Sequence, residues 1–177
     1  MEVPLLLFVG LILLLACSAF TSASEIAFFA LSLNDLEELK KSNKKNDKII
    51  LQLREKPDYL LSTLLIFNNL VNVSVVIVAS ELLYCILGVN LDEVIKFLID
   101  TVLITFVVLL FGENMPKIYA SSNPLQFARK AAFPLSILSK ILYPISWLLV
   151  KPTSRVKRLE KHANTSVSMD ELSQAFE

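Results

Sequence analysis

Three stretches of this chain are long and apolar enough to cross about 30 Å of hydrocarbon as helices, and nothing else in the sequence constrains the fold as strongly. In lipid, every backbone N–H and C=O must find its partner inside the protein, so such stretches form helices that pack on one another. The first runs from about residue 3 to 33, and its opening, "PLLLFVGLILLLACSAF", is followed by no charge before Glu25. It has no basic n-region of a signal peptide, and apolar character resumes in "IAFFALSL", so it reads as a retained helix. The second covers about 59–87 and the third about 91–119. The expected fold class is an all-α membrane protein.

Composition agrees: 54% of the 177 residues are hydrophobic and only 3 are glycine, a profile of neither a soluble domain nor a disordered one. Basic and acidic residues balance at 17 each, so no global positive field points to nucleic acid. Cys17 and Cys85 lie in apolar runs without metal-ligand spacing and read as small buried hydrophobes. The single histidine, His162, sits in a polar tail, which argues against a histidine triad or zinc site. No nucleophile–base pair or cofactor motif suggests an enzyme.

Loop charges set an expected orientation. The first loop, 34–58, carries Lys40, Lys41, Lys44, Lys45, Lys48, Arg54 and Lys56, whereas "GVNLDEV" between the second and third spans has two acids and no base. Basic residues return in Arg129, Lys130, Lys151, Arg155, Lys157, Arg158 and Lys161. The positive-inside rule then places the N-terminus outside and the C-terminus in the cytoplasm of a plasma or inner membrane. The first loop (34–57) reads as short amphipathic helices burying Leu36, Leu39, Ile49, Ile50 and Leu53, with Asn34 or Asp35 as N-cap and Glu37 and Glu38 in the first turn. Residues 124–150 read as helices broken by Pro134, Lys140 and Pro144 at the cytoplasmic interface, anchored by Tyr143 and Trp147. Ser168 and Glu171 form a capping-box pattern that opens a helix from Ser168 onward, within 161–177, the expected start of a cytoplasmic linker.

A polar side chain at membrane depth is costly and therefore a functional candidate. Each span has one cluster: Ser18 and Ser22 with Thr21, Ser24 and Glu25; Asn68 and Asn72 with Asn69, Ser62 and Thr63; and Gly112, Glu113 and Asn114. Pro116 has no N–H, so the Gly112 carbonyl four residues earlier loses its helical partner, next to the Glu113 carboxylate. This predicts a broken helix that lines a cavity with oxygen. At 1.5 Å per residue, Ser18–Ser22 lies about 23–30 Å along the first span and Gly112–Glu113 about 30 Å along the third, with Asn68 about a third of the way up the second from inside. Ser18, Ser22, Asn68, the Gly112 carbonyl and Glu113 would offer hard oxygens with one negative charge, a set suited to Mg2+, Ca2+ or Na+. Structural roles compete with this reading. Serines can bond their own i−4 carbonyls, asparagines can join helices, and Glu113 can pair with Lys117 as Lys96 can with Asp100. Glu81 has no assigned role.

The blocks "FTSASEIAFFALSLNDLEELKK", "LLSTLLIFNNLVNV" and "LLFGENMPKIYA" resemble, in order and spacing, the signature blocks of the transmembrane domain of the CorB/CorC and cyclin M (CNNM) family, also called the domain-of-unknown-function-21 module. The resemblance covers about residues 4–160, within a domain spanning 1–160. It implies a homodimer in the lipid bilayer, with three membrane helices, a cytoplasmic helical hairpin and a juxtamembrane belt in each protomer. It also implies cytoplasmic CBS domains beyond the linker, missing from this chain. The implied activity is Mg2+ transport or export, with Na+ as a coupling ion and the dehydrated Mg2+ held in a cytoplasm-facing cavity. Motif on motif, the ligands fall on Ser18, Ser22, Asn68, Gly112 and Glu113, with Pro116 shaping the turn; Asn69, Asn72, Ser24, Glu25 and Lys117 are supporting residues. Asn114 and Met115 stand where members more often carry aliphatic residues. A membrane Mg2+ sensor or a Na+ carrier are the alternative readings.

Overall fold

The computed structural model describes residues 2–87 and 92–150. His162 and the expected linker helix lie outside them, as do the side chains of Lys96 and Asp100. Among the described residues there are helices and no strands. Helix α1 (Glu2–Phe29) leads into α2 (Leu33–Lys41) and α3 (Lys45–Glu55), which form a hairpin before the long α4 (Pro57–Leu87). The third rod is composite: α5 (Glu93–Ile99), a π-helical segment π1 (Asp100–Ile104), α6 (Thr105–Val107), a second π-helical segment π2 (Val108–Asn114), then α7 (Met115–Ser122). Helices α8 (Pro124–Ile141) and α9 (Tyr143–Val150) follow. Among the described residues three helices are long and apolar enough to span a membrane: Val3–Phe29, Pro57–Ile86 and Thr101–Ser122. This is an all-α membrane protein.

Helix α1 is the hub; it packs along α4 and against π2, α7 and α8. Two apolar layers hold the bundle. One joins Val71, Val75 and Ala79 of α4 to Ile104 and Val108 of the third rod, with Leu11, Leu14 and Leu15 of α1 against them. The other gathers Ala23, Ala27 and Phe28 with Leu39, Ile50, Leu60 and Leu64, and with Ala128, Ala131, Ala132 and Leu135 of α8. Alanines at these crossings let helix backbones approach closely, the usual device where lipid gives no hydrophobic drive between helices. The outward faces remain apolar, with Leu6, Leu13, Leu70, Ile77 and Phe106 exposed as lipid-facing side chains. Cys17 and Cys85 lie on these outward faces too, not in the core as their apolar neighbours suggested.

Several local expectations are corrected. Helix α1 ends at Phe29, short of residue 33, because Ser32 starts the next helix. The cap of α2 is Ser32, not Asn34 or Asp35: its hydroxyl accepts from the Asp35 N–H, and the Asp35 carboxylate accepts from the Ser32 N–H at 2.8 Å. The Ser32 hydroxyl also donates to Asp35 Oδ2 at 2.7 Å, and this bond, with the one from the Ser32 N–H, holds the Asp35 carboxyl below its ordinary pKa. Pro134 does not interrupt α8, where it lies on the exposed side. The interruption comes at Leu142, where α8 and α9 meet at 74°. Pro144 sits in the first turn of α9, a position at which the missing N–H costs nothing.

The hairpin is fastened by two arginines. Arg54 donates from Nη1 to the Phe28 carbonyl, satisfying an orphan acceptor at the end of α1, where the helix dipole favours a cation. Arg129 on α8 grips the fully buried Asp47 with two bonds, Nε to Oδ1 at 2.8 Å and Nη2 to Oδ2 at 3.0 Å, and reaches Glu38 at 2.9 Å. Asn46 adds a bond to the Arg129 carbonyl at 2.9 Å. A planar guanidinium matches a carboxylate in this two-pronged way as lysine cannot.

The Arg129 bond holds the Asp47 carboxyl below its ordinary range, so the contact stabilises the fold above the usual carboxylate pKa of about 3.9 and is lost as pH falls through the lower folded value. Replacing Arg129 by leucine strands a buried carboxylate and is expected to cost about 3–5 kcal/mol near neutral pH. Unfolding in mixed micelles checks this: the deficit should shrink as pH falls from neutrality down through that lower folded value, and a deficit independent of pH would contradict it.

Candidate functional site

Between the two apolar layers all three spans turn polar groups toward one point. Helix α1 contributes Ser18 and Ser22, one turn apart and both buried. The choice between bonding their own helix and reaching outward is resolved within α1. Thr21 donates to the Cys17 carbonyl at 2.8 Å and Ser24 to the Phe20 carbonyl at 2.6 Å, so these two hydroxyls serve their own backbone. Ser18 and Ser22 instead reach across to α4. Ser18 Oγ lies 2.7 Å from Asn72 Oδ1 and 3.2 Å from Asn68 Oδ1; Ser22 Oγ lies 3.5 Å from Asn68 Oδ1.

The third span supplies Gly112 and Glu113. The expectation of a broken helix ahead of Pro116 is not met. The chain stays helical but widens into the π-helical turns of π2, where the Met115 N–H reaches back five residues to the Leu110 carbonyl. Pro116 then falls in the first turn of α7. Proline's missing N–H is still the physical reason for the irregularity, absorbed by a wider helix rather than a gap. The Gly112 carbonyl accepts from Ser18 at 3.4 Å. Glycine suits this crossing, since a Cβ there would sit 2.9 Å from Ser18 Oγ and force that hydroxyl to shift. Glu113 Oε1 accepts from Asn72 Nδ2 at 3.0 Å and from Asn68 Nδ2 at 3.4 Å.

The site residues Ser18, Ser22, Asn68, Gly112 and Glu113 therefore meet in one network. Asn72, expected only in a supporting position, makes shorter contacts than Asn68 to both Ser18 and Glu113; its i+4 spacing from Asn68 was the available signal. Asn69 and Asn114 are exposed, and Ser24 is occupied by its own helix. Lys117 pairs not with Glu113 but with Glu25, at 3.4 Å. Glu81 lies exposed on α4, with Val76, Ile77, Ser80 and Tyr84 around it. A crevice of about 30 Å3, lined by Thr21, Ser22, Glu25, Leu64, Leu65 and Asn68, lies on the hairpin side of the network and has room for a water-sized guest.

The donor count is the chemical point. A serine hydroxyl has one proton, yet three acceptor oxygens, from Asn72, Asn68 and Gly112, crowd Ser18 Oγ within 3.4 Å. Among the described residues no group of three or more histidine, cysteine or acidic side chains assembles, so a cation here would meet one carboxylate and several neutral oxygens.

The cyclin M transmembrane N-terminal domain model matches residues 9–177. The chain belongs to that family. Relatives of the chain include a UPF0053 protein of Haemophilus influenzae, 38% identical over 143 residues, which cover 81% of this chain and 33% of the relative. The UPF0053 inner membrane protein YfjD of Escherichia coli is 34% identical over 142 residues, 80% of this chain and 32% of YfjD. A third, UPF0053 protein sll1254 of Synechocystis, is 24% identical, over 82% of this chain and 40% of its own length. This cyclin M chain thus spans about a third of the length of the first two relatives it matches.

The contact between Gly112 and Ser18 yields a coupled pair of substitutions. Gly112→Ala should destabilise by about 1–3 kcal/mol through overpacking. Adding Ser18→Ala removes the clashing oxygen, so the double variant should lose at least about 0.5 kcal/mol less than the two singles together. Additive losses in a double-mutant cycle would show that the two residues do not touch.

Proposed function

We propose that this chain is the ion-binding membrane domain of a Mg2+ transporter, and that Ser18, Ser22, Asn68, Asn72, Gly112 and Glu113 hold the ion as cargo. The observation that carries this reading is the gathering of oxygens around Ser18 with too few protons to join them. Oxygens on an octahedron with bonds of about 2.1 Å lie about 3.0 Å apart along its edges, and the contacts of 2.7, 3.2, 3.4 and 3.5 Å bracket that spacing. A small hard cation among them turns a deficit of donors into a full set of ligands.

On binding, Ser18 would turn its proton back to the carbonyl of Leu14, the i−4 bond that Thr21 and Ser24 already make in the same helix. Its lone pairs then face the ion. Both amides converge on Glu113 Oε1, which leaves Oε2 as the atom to turn toward the cargo. One carboxylate against a divalent ion leaves positive charge uncompensated, which suits a site that must release as well as capture. Mg2+ sheds water reluctantly, so prepositioned oxygens matter more for it than for a larger ion.

The basic hairpin supports an orientation with the crevice beside Glu25 facing the cytoplasm, giving uptake from inside and export outward. Na+ would fill the role of coupling ion, neutralising Glu113 on the return. In the whole protein two copies of this domain would associate, and cytoplasmic CBS domains would follow the chain.

Titration calorimetry of Mg2+ into the purified chain tests the site. Glu113→Gln should weaken binding on the order of a hundredfold or more, since ligand charge sets affinity at such sites; unchanged affinity would remove the proposal. Proteoliposomes with an internal Mg2+ indicator test the transport. Flux should depend on Glu113, and binding without flux would assign the domain to sensing instead.

A further inference from the structure

A second cavity, of about 520 Å3, opens between α3, α4, α8 and α9. It lies where α4 begins, at the hairpin edge of the spans. Its walls are largely apolar, formed by Ile49, Leu53, Leu60 and the rings of Tyr59 and Tyr143, which stack 5.6 Å apart. Its polar groups are one amide, Gln52, a set of hydroxyls that can donate, and two cations. Lys56 and Lys140 line it, and no acid among the described residues does. Thr63 and Ser146 meet at 3.1 Å and tie α9 to α4. Ser139 also lines the cavity, and its buried hydroxyl has no partner among the described residues. Leaving such a group unsatisfied costs about 1–3 kcal/mol, so something that accepts a hydrogen bond belongs beside it.

We propose that this cavity binds an anionic membrane phospholipid, its phosphate held by Lys56 and Lys140 with a hydrogen bond from Ser139. Basic pockets at the cytoplasmic ends of membrane helices take such headgroups, and the volume falls in the range of ordinary ligand sites. A free anion would have no use for the leucine and tyrosine walls, which suit the glycerol backbone and first methylenes of a lipid. The segment that follows directly, 151–161, is disfavoured by charge, because Lys151, Arg155, Lys157, Arg158 and Lys161 against the single acid Glu160 would have to approach two more lysines. The inference depends on the domain lying in a membrane and not on what it transports. A lipid here would bridge α3, α4 and the α8–α9 bend, and so brace the end of α4 that leads up to Asn68.

Thermal unfolding of the full chain in a neutral detergent, with added short-chain phosphatidylglycerol, phosphatidylcholine or inorganic phosphate, tests it. Phosphatidylglycerol should raise the unfolding temperature by several degrees, as expected for a ligand of the folded state alone. Phosphatidylcholine and inorganic phosphate should leave it nearly unchanged. The pair Lys56→Gln and Lys140→Gln should abolish the phosphatidylglycerol shift, whereas Lys44→Gln with Lys45→Gln, on the exposed hairpin, should keep it. Equal shifts from both lipids, a shift from inorganic phosphate alone, or a full shift in the Lys56/Lys140 variant would each overturn the proposal. Ser139→Ala gives a second reading that spares the charges: a reduced shift supports the site, and an undiminished one refutes it.

Discussion

Inside hydrocarbon a polar atom has only the protein to bond with, and the arrangement of this domain follows from that constraint. Backbone polarity is absorbed by helices throughout the described residues. The polar side chains that the three spans share are gathered into one layer, with Leu14, Leu15, Val75 and Val108 on one side and Ala23, Leu64 and Ala120 on the other. Helix α1 can touch every partner in that layer because its crossings are built from serine and alanine facing Gly112. The close approach creates the crowding of oxygens around Ser18, and that crowding is what a cation would relieve. Packing and candidate chemistry thus rest on the same contact.

The hairpin and α8 hold this geometry from one end. Arg54 caps α1 just beyond Ser22 and Ser24, and the grip of Arg129 on Asp47 fixes α3 against α8. Both ties are charge-assisted bonds to groups that would otherwise be stranded, so neither is exchanged cheaply for water. Through Leu39, Ile50 and Leu60 they set the base on which α1 and α4 stand. A shift of this base would move Ser22 against Asn68, the longest contact in the network at 3.5 Å. A lipid seated by Lys56 and Lys140 would act on the same base.

Much of this is legible in spacing alone. Polar residues four apart in a span share a face, which by itself brings Ser18 to Ser22 and Asn68 to Asn72, and runs of apolar residues mark the rods. What escapes the sequence is whatever depends on competition between partners. Lys117 lies four residues from Glu113, but packing brings Glu25 of another helix to it. Asn34 and Asp35 both read as caps, yet Ser32 can use the Asp35 carboxylate in return and so wins. Pro116 signals a disturbed helix without saying whether the chain will unwind or widen; the register of π2 follows from packing against α1, which no local pattern records. The outward faces of Cys17 and Cys85 are hidden for a related reason, because in a lipid-facing helix apolar surroundings do not distinguish inside from outside.

The most direct test of the central claim is a structure determined with Mg2+ bound. The account predicts one ion in the polar layer at about 2.1 Å from Ser18 Oγ, an amide oxygen of Asn68 or Asn72, the Gly112 carbonyl and a Glu113 oxygen. Contacts of about 2.3–2.6 Å would instead indicate a Ca2+-like site, and a saturated protein whose ion lies elsewhere, with Ser18 still bonded to Asn72, would contradict the account outright.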